Sequence, residues 1–278
     1  MFSTKALRGS IEIAPGFSAP KRISHVLFDF DGTLSLLRSG WPEVMVEMFL
    51  EMIPRRADDT ESRLRAMLYD DMMRLNGKQT IFQMIRFAER VSERGTPARE
   101  AGWYKDEYAR RLHQKIDGRI QSIQSGSATA DSFLVAGAQQ FLEFLRERSF
   151  TLYLASGTDE VFVKHEAELL GLTAYFGKNF YASHGETFSK RAVIEQMLAD
   201  HKIAGESLIS FGDGYVELME TKAVGGTAVA VACDEPNNGS GNIDPVKREL
   251  LVNSGADIVI PDYRDGVALM ETVCGVQF

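Results

Sequence analysis

The sequence predicts an α/β protein with a doubly wound parallel sheet and an inserted helical module. Three observations support this class: short apolar runs rich in β-forming residues, helical patterns between most of these runs, and one long interval with helical periodicity alone. The apolar runs are mostly continuous, which is typical of strands that are covered on both faces. Strands that alternate with helices favour a parallel sheet.

The strands and helices of the predicted core follow from these patterns. Strands are predicted at 23–30, 150–156, 207–213, 227–233 and 256–262. Helices are predicted at 137–148, 159–170, 190–200 and 245–253. The last helix has Asp244 and Pro245 at its start and Gly255 just after its end, which are the expected helix signals.

The helical module lies between the first strand and the helix at 137. One apolar stripe recurs there at helical spacing and consists of Trp41, Val44, Met45, Met48 and Phe49. Further helices are predicted near 60–75, 79–94 and 97–124. We interpret the methionine-rich stripe as the core of the module in preference to a groove for a partner. Ser/Gly-rich connectors flank the module, so the predicted divisions are an N-terminal tail at 1–22, a core at 23–34 and 131–278, and the module at 35–130.

Composition excludes several classes of function. The chain has 31 basic and 39 acidic residues and a net charge of -8, which disfavours nonspecific binding to nucleic acid or to an anionic membrane. Cys233 and Cys274 have no metal-binding spacing, so we expect neither zinc nor a disulfide framework, and a reducing, cytoplasmic location. No apolar stretch is long enough for a membrane span or a signal peptide. A small polar molecule is therefore the expected partner.

Two acids follow the predicted first strand. The run VLFDFDGTLS at 26–35 contains Asp29 and Asp31, which share a face of the strand because they are two residues apart. Two carboxylates so close repel each other unless a cation lies between them. Open α/β sheets bind ligands at the carboxyl ends of their strands, where such a cation would have a purpose. The alternative is a turn in which the acids bond locally and Gly32 relieves the bend.

Two further segments carry candidate phosphate-binding groups. Ser156, Gly157 and Thr158 end the second strand and direct free backbone N–H groups at a ligand, or else cap the next helix. Lys190 follows Ser189 at a helix start, where a cation opposes the helix dipole unless an anion lies nearby. A solvated surface lysine is the alternative.

The fourth segment adds acids after the third strand. Asp213 and Glu217 lie one helical turn apart, which suits two carboxylates that face one metal ion, with capping by Asp213 as the alternative. All four segments fall at strand ends or at the helix starts that follow them. Together they offer oxygen ligands for a hard cation such as magnesium, a nucleophile, and a fixed positive charge.

These segments resemble the motifs of the haloacid dehalogenase-like (HAD) superfamily, over most of 23–262. DFDGT at 29–33 is similar to its first motif, LASGT at 154–158 to its second, Lys190 to its third and GDGYVE at 212–217 to its fourth. The resemblance implies a Rossmann-like core with a helical cap inserted after the first strand, as in the branch that contains phosphoglycolate phosphatases and beta-phosphoglucomutases. It further implies a magnesium-dependent enzyme that hydrolyses phosphate monoesters.

The resemblance also assigns roles to the residues. It implies that Asp29 attacks phosphorus and forms a transient aspartyl phosphate, while Asp31 protonates the leaving oxygen and then activates water. Ser156 and neighbouring amides would hold the phosphoryl oxygens, and Lys190 would balance charge. The implied magnesium ligands are the carboxylates of Asp29 and Asp213, the backbone carbonyl of Asp31, and Glu217 directly or through water. Glu217 departs from the family, which often has Asp there.

The residues that select the substrate are harder to assign. Those predicted to bind it are Gly32, Gly157, Thr158, Arg38 and Trp41. Arg38 is placed to reach a carboxylate or hydroxyls and Trp41 to form an apolar wall, with a solvated arginine and a core aromatic as alternatives. The expected substrate is a small phosphorylated metabolite, either a sugar phosphate or a phosphoglycolate-like compound. A phosphomutase and an idle regulatory or scaffold protein stay as alternative functions, and a monomer and a homodimer are both compatible with the sequence.

Overall fold

A seven-stranded sheet forms the centre of the computed structural model, which describes residues 11–19, 22–184 and 188–278. The strands are β1 (Glu12–Ile13), β2 (His25–Phe28), β3 (Thr151–Asp159), β4 (Phe180–Ser183), β5 (Leu208–Gly212), β6 (Thr227–Val231) and β7 (Ile258–Ile260). Their order is β1-β7-β6-β5-β2-β3-β4. All neighbours pair in parallel except β1, which is antiparallel to β7. The predicted α/β class with a mainly parallel sheet is confirmed.

Four helices occupy the interval after β2. They are α1 (Trp41–Met52), α2 (Glu61–Met73), α3 (Thr80–Ser92) and α4 (Ala101–Gln124). They pack around their own apolar core, in which the rings of Phe49 and Phe87 stack with centroids 4.1 Å apart. Met45 and Met48 are fully buried there, so the methionine stripe is core and does not form an exposed groove. We refer to these four helices as the cap.

The remaining helices cover both faces of the sheet. They are α5 (Ala138–Glu147), α6 (Glu160–Leu169), α7 (Thr173–Phe176), α8 (Lys190–His201), α9 (Tyr215–Ala223), α10 (Pro245–Asn253) and α11 (Gly266–Cys274). Short 3₁₀ helices lie at Ala130–Phe133, Gly205–Ser207 and Glu235–Asn237. Phe28 packs toward Phe141 on α5, whereas its neighbour Leu27 packs toward Ile194 on α8. This alternation explains why the strand sequence is apolar throughout.

Two connectors join the cap to the sheet and pair with each other. The backbone N–H of Leu36 donates to Phe133, and that of Val135 donates to Leu34. Arg119 on α4 donates to the carbonyls of Leu37 and Ser39, which fixes the first connector against the cap.

The predicted N-terminal tail is partly ordered against the sheet. Residues 1–10, 20 and 21 lie outside the described residues, but Glu12 and Ile13 add an edge strand to β7, and Ile11 is buried. A two-residue strand is too short to show an alternating pattern, so the sequence did not reveal it. The edge strand β4 was missed because its first two residues are only partly buried and it forms no continuous apolar run.

Candidate active site

The loops after three adjacent strands converge on one cavity. β2 lies between β3 and β5, so their carboxyl ends lie side by side. Asp29 follows β2, Ser156 lies in β3, and Asp213 follows β5; all three line the cavity together with Lys190. A parallel sheet thus brings together residues that are far apart in the sequence.

Lys190 holds two buried carboxylates. Its ammonium lies 2.9 Å from Asp29 Oδ1 and 2.8 Å from Glu217 Oε2, and all three side chains are almost fully buried. Burial lowers the pKa of Lys190, but the two carboxylates outweigh that effect and raise the pKa above its usual value. Burial raises the pKa of Asp29 well above its usual value, and Lys190 only partly offsets this rise. The alternative of a solvated surface lysine is therefore wrong in this structure.

Asp213 is held by the loop after β2 and by helix α10. Its backbone N–H donates to Thr33 Oγ1 at 3.0 Å, and its Oδ2 lies 3.2 Å from the ammonium of Lys247. Gly32 has φ +69°, and a Cβ at this position would come within 2.1 Å of Asp213 Oδ2. Glycine is required here both by the backbone conformation and by the close approach of the carboxylate.

The acidic cluster fits a divalent cation. Ligand oxygens of Asp29, Asp213 and Glu217 lie within 4.8 Å of one another. With Glu235, which contacts Lys247 at 2.6 Å, the connected cluster holds four carboxylates and two ammonium groups. The cluster therefore has two more carboxylates than ammonium groups. Buried carboxylates repel each other unless a cation balances them, and oxygen ligands are those that Mg²⁺ prefers.

Metal binding at this cluster is expected to weaken in acid. Burial raises the pKa of Asp213 to about 6, although Lys247 opposes the rise. A carboxylate must lose its proton before it binds a metal, so Mg²⁺ affinity should fall as the pH drops through this value. The pKa of Asp213 is higher in the folded protein than in the unfolded chain, so protonated Asp213 stabilises the metal-free protein at low pH. This stability should be lost as the pH rises from the usual aspartate value of 3.8 to about 6. Isothermal titration with Mg²⁺ and thermal unfolding in EDTA, each on both sides of this pKa, measure the two effects. Asp213→Asn should remove the part of this pH dependence of stability that comes from Asp213.

Ser156, Gly157 and Thr158 belong to β3 and do not cap a helix. β3 continues to Asp159, so α6 begins at Glu160 and its N-terminal N–H groups are not capped by Ser156 or Thr158. Ser156 Oγ accepts from the N–H of Thr158, whose hydroxyl donates to Asp31 Oδ2 at 2.7 Å. A Cβ on Gly157 would come within 2.8 Å of the Lys78 carbonyl, so the loop between α2 and α3 of the cap lies against this strand end.

A family profile matches most of the chain, and the matched range includes all four segments that carry the sequence motifs. It is the profile of the haloacid dehalogenase-like hydrolases, and it matches residues 23–225. The chain belongs to the haloacid dehalogenase-like hydrolase family. The family that the sequence motifs suggested is thereby confirmed, and the chain is an enzyme of the hydrolase class. No curated protein sequence matches the chain.

Solved structures of this family share the fold. A protein from Haemophilus somnus, described as a predicted phosphoglycolate phosphatase, is 13% identical with a TM-score of 0.61 and covers 89% of this chain and 98% of its own. A predicted phosphatase from Clostridium acetobutylicum is 19% identical with a TM-score of 0.60 and covers 92% and 100%. A haloacid dehalogenase-like family hydrolase from Streptococcus pneumoniae is 20% identical with a TM-score of 0.57 and covers 89% and 98%. At these identities the similarity concerns the fold alone.

Each carboxylate oxygen of Glu217 accepts a hydrogen bond in this family member. Its Oε1 accepts from the backbone N–H of Gly214 and its Oε2 from Lys190, each at 2.8 Å. The N-cap residue of helix α9 is Gly214, one position later than the sequence suggested. Glu217 is therefore the third residue after the N-cap and reaches back to it as in a capping box. Capping by Asp213 is thus wrong, and Glu217 both caps α9 and holds Lys190.

Arg38 and Trp41 both line the cavity of this hydrolase. The Arg38 guanidinium donates to both carboxylate oxygens of Glu166 at 2.6 to 3.0 Å, and its Nε lies 3.6 Å from Asp31 Oδ1. The side chain of Arg38 is 12% exposed, so the alternative of a solvated arginine is wrong. Trp41 also packs against the core of the cap, which agrees with both of its interpretations.

Several residues of the site were missed from the sequence: Thr33, Glu166 and Lys247 in the core, and Asn76, Thr80, Gln83 and Tyr108 in the cap. Glu166 carried a usable signal, because it lies with Val163, Ala167 and Leu170 on the buried stripe of α6, where a charge is out of place. Lys247 had none, since a lysine in the first turn of a helix looks like any solvated lysine.

None of the helices among the described residues combines the length and the apolar character needed to cross a membrane.

Proposed function

We propose that this hydrolase is a magnesium-dependent phosphatase that cleaves a small phosphate monoester through an aspartyl phosphate. The observation that carries the proposal is the position of Asp29. Its carboxylate contacts Lys190 and has an oxygen within 4.8 Å of ligand oxygens of Asp213 and Glu217, and it lines a cavity that Asp31 also lines. An anionic nucleophile can approach an anionic phosphate only where cations offset the repulsion.

Asp29 and Asp31 divide the chemistry between them. A carboxylate oxygen of Asp29 attacks phosphorus while the bond to the leaving oxygen breaks, and protonated Asp31 gives its proton to that oxygen. Asp31 then takes a proton from water, whose oxygen attacks phosphorus and releases inorganic phosphate and the Asp29 carboxylate. The contacts of Asp31 support this role: Oδ2 is held by Thr158, whereas Oδ1 is buried without a hydrogen-bond partner among the described residues.

Other groups of the site hold charge and phosphoryl oxygens. Ser156 Oγ accepts from Thr158, which leaves its own hydrogen free to donate to a phosphoryl oxygen. Mg²⁺ at Asp29, Asp213 and the Asp31 carbonyl would supply positive charge next to the phosphoryl group. Because both Glu217 oxygens already accept hydrogen bonds, we assign Glu217 to an indirect contact through water. The cap covers this site and would exclude bulk water from it.

A panel of phosphate monoesters tests the proposal. We expect inorganic phosphate to be released from at least one small ester in the presence of Mg²⁺, and release to fall to the level of the blank in excess EDTA because the acidic cluster then lacks its counter-charge. Restoring Mg²⁺ should restore release. An isomerised product without phosphate release would indicate a phosphomutase, and a folded protein inactive on every ester would indicate an idle scaffold. Either result would overturn the proposal.

A further inference from the structure

Two pockets meet where the leaving group of a substrate would lie. The first contains Asp29, Asp31 and Ser156, and the second runs between α4 of the cap and α6 of the core. They share Arg38, Thr80, Tyr108 and Thr158. A phosphoryl group next to Asp29 would therefore direct the rest of the substrate past Arg38. The chemistry of the groups around Arg38 decides what that part of the substrate can be.

Glu166 neutralises the charge of Arg38. Glu166 binds the guanidinium through both carboxylate oxygens, in the bidentate geometry that makes arginine–carboxylate pairs strong. Asp31 lies near the same guanidinium, with its Oδ1 3.6 Å from Nε. Glu166 alone balances the single charge of Arg38, so an anionic group of the substrate would lose its hydration here without gaining an ion pair.

The other cations around the two pockets are also engaged or exposed. Lys190 contacts Asp29 and Glu217, and Lys105 contacts Asp159 at 2.6 Å. Lys78 lies exposed, with its ammonium 5.9 Å from the ring centroid of Phe82. A solvated charge contributes little to specificity. Among the residues that the structure describes, no buried cation lining the pockets on the cap side is free to bind a substrate anion.

The remaining polar side chains on the cap side of the first pocket are neutral. Asn76, Thr80, Gln83 and Tyr108 supply amides and hydroxyls, and Trp41 supplies an aromatic face. Burial raises the pKa of Tyr108 above its usual value, so its hydroxyl stays uncharged. Neutral hydrogen-bonding groups next to an aromatic wall match hydroxyl groups on a short carbon chain or ring.

We infer that the part of the substrate beyond its single phosphate is uncharged and carries hydroxyl groups, as in a polyol or sugar phosphate. Glu166 is the specificity-determining residue: by holding Arg38 it turns the site against esters with a carboxylate or a second phosphate. This inference rests on the proposed phosphatase function and chooses between the two substrate types that the sequence left open. It also makes Arg38 a wall of the pocket and not a ligand for an anion.

Matched pairs of esters test the inference. Glycerol 3-phosphate and 3-phosphoglycerate differ in a hydroxymethyl group against a carboxylate, and glucose 6-phosphate and 6-phosphogluconate make a second pair. We expect kcat/KM to favour the hydroxylated member of each pair by at least about tenfold, because the carboxylate is desolvated without gaining an ion pair. Glu166→Gln should reduce this ratio at least about fivefold, through a lower KM for the carboxylated ester, because Arg38 is then available to it. Adding Arg38→Met to that variant should restore the ratio.

Glu168→Gln is the matched control, since Glu168 is an exposed residue of the same helix and should leave both ratios unchanged. A wild-type preference for the carboxylated members would overturn the inference, as would an unchanged ratio in folded Glu166→Gln. If Glu166→Gln does not fold, the single variant Arg38→Met tests the inference. A selective rise in KM for the carboxylated esters would contradict it, and an equal change in KM for both members of each pair would support it. Failure to release phosphate from any ester would instead reject the proposed function.

Discussion

Replacing Asp29 with asparagine is expected to abolish phosphate release while the fold remains intact. The amide cannot form the covalent bond to phosphorus, and removal of a catalytic nucleophile lowers kcat by at least about a thousandfold in comparable enzymes. The variant should still fold, because Lys190 keeps its contact with Glu217. Steady-state phosphate release and circular dichroism of the purified variant measure the two outcomes.

The same variant should change how the protein responds to metal. In the absence of metal, Asp29 lies among like charges, and burial, Glu217 and Asp213 all raise its pKa. The neutral amide of the Asp29→Asn variant relieves that repulsion, so the metal-free melting temperature should equal or exceed that of the wild type, whereas the increase on addition of Mg²⁺ should be smaller.

Asp262→Asn provides the control for Asp29→Asn. Asp262 is also a buried aspartate after a strand of the same sheet, but it pairs with Arg264 and does not line the cavity. That variant should keep both its activity and its response to Mg²⁺. Phosphate release by Asp29→Asn at the rate of the wild type would exclude Asp29 as the nucleophile.

Much of the fold could be predicted because its inner strands are buried and continuously apolar. The predicted segments that contain β2, β3, β5, β6 and β7 are buried on both faces, and such runs leave a clear signal in a single sequence. β1 and β4 lie at the two edges of the sheet and are only partly buried, so neither forms a continuous apolar run. The length of β3 was also underestimated, since SGTD reads as a turn but stays extended to Asp159.

The site was predictable only where its residues share a local motif. Asp29, Asp31 and Asp213 follow strands directly, and a parallel sheet brings strand ends together without further information. Glu166 and Lys247 act through partners that are far away in the sequence: Glu166 is 128 positions from Arg38, and Lys247 is 34 from Asp213. Neither pairing follows from spacing, so the sequence could not show that Arg38 is neutralised.

Replacing Lys190 with methionine should cause a large loss of stability in the metal-free protein. The substitution leaves Asp29 and Glu217 buried without their cation, and breaking a buried ion pair in this way costs about 3 to 5 kcal/mol. The unpaired carboxyl groups then gain raised pKa values in the folded state. Stability that depends on a raised carboxyl pKa is present at low pH and is lost as the pH rises, so the deficit should be greatest at neutral pH and should shrink in acid.

Mg²⁺ should recover part of the stability lost in Lys190→Met, because a bound divalent ion replaces the missing positive charge next to the same carboxylates. Urea unfolding at acidic and neutral pH, with and without Mg²⁺, measures these effects. Lys222→Met is the matched control: Lys222 pairs with Asp257 at 2.8 Å but is 42% exposed, and an exposed pair contributes under about 1 kcal/mol. A deficit in Lys190→Met as small as that of the control, or one that persists unchanged in acid, would mean that Lys190 does not balance the buried acids of this site.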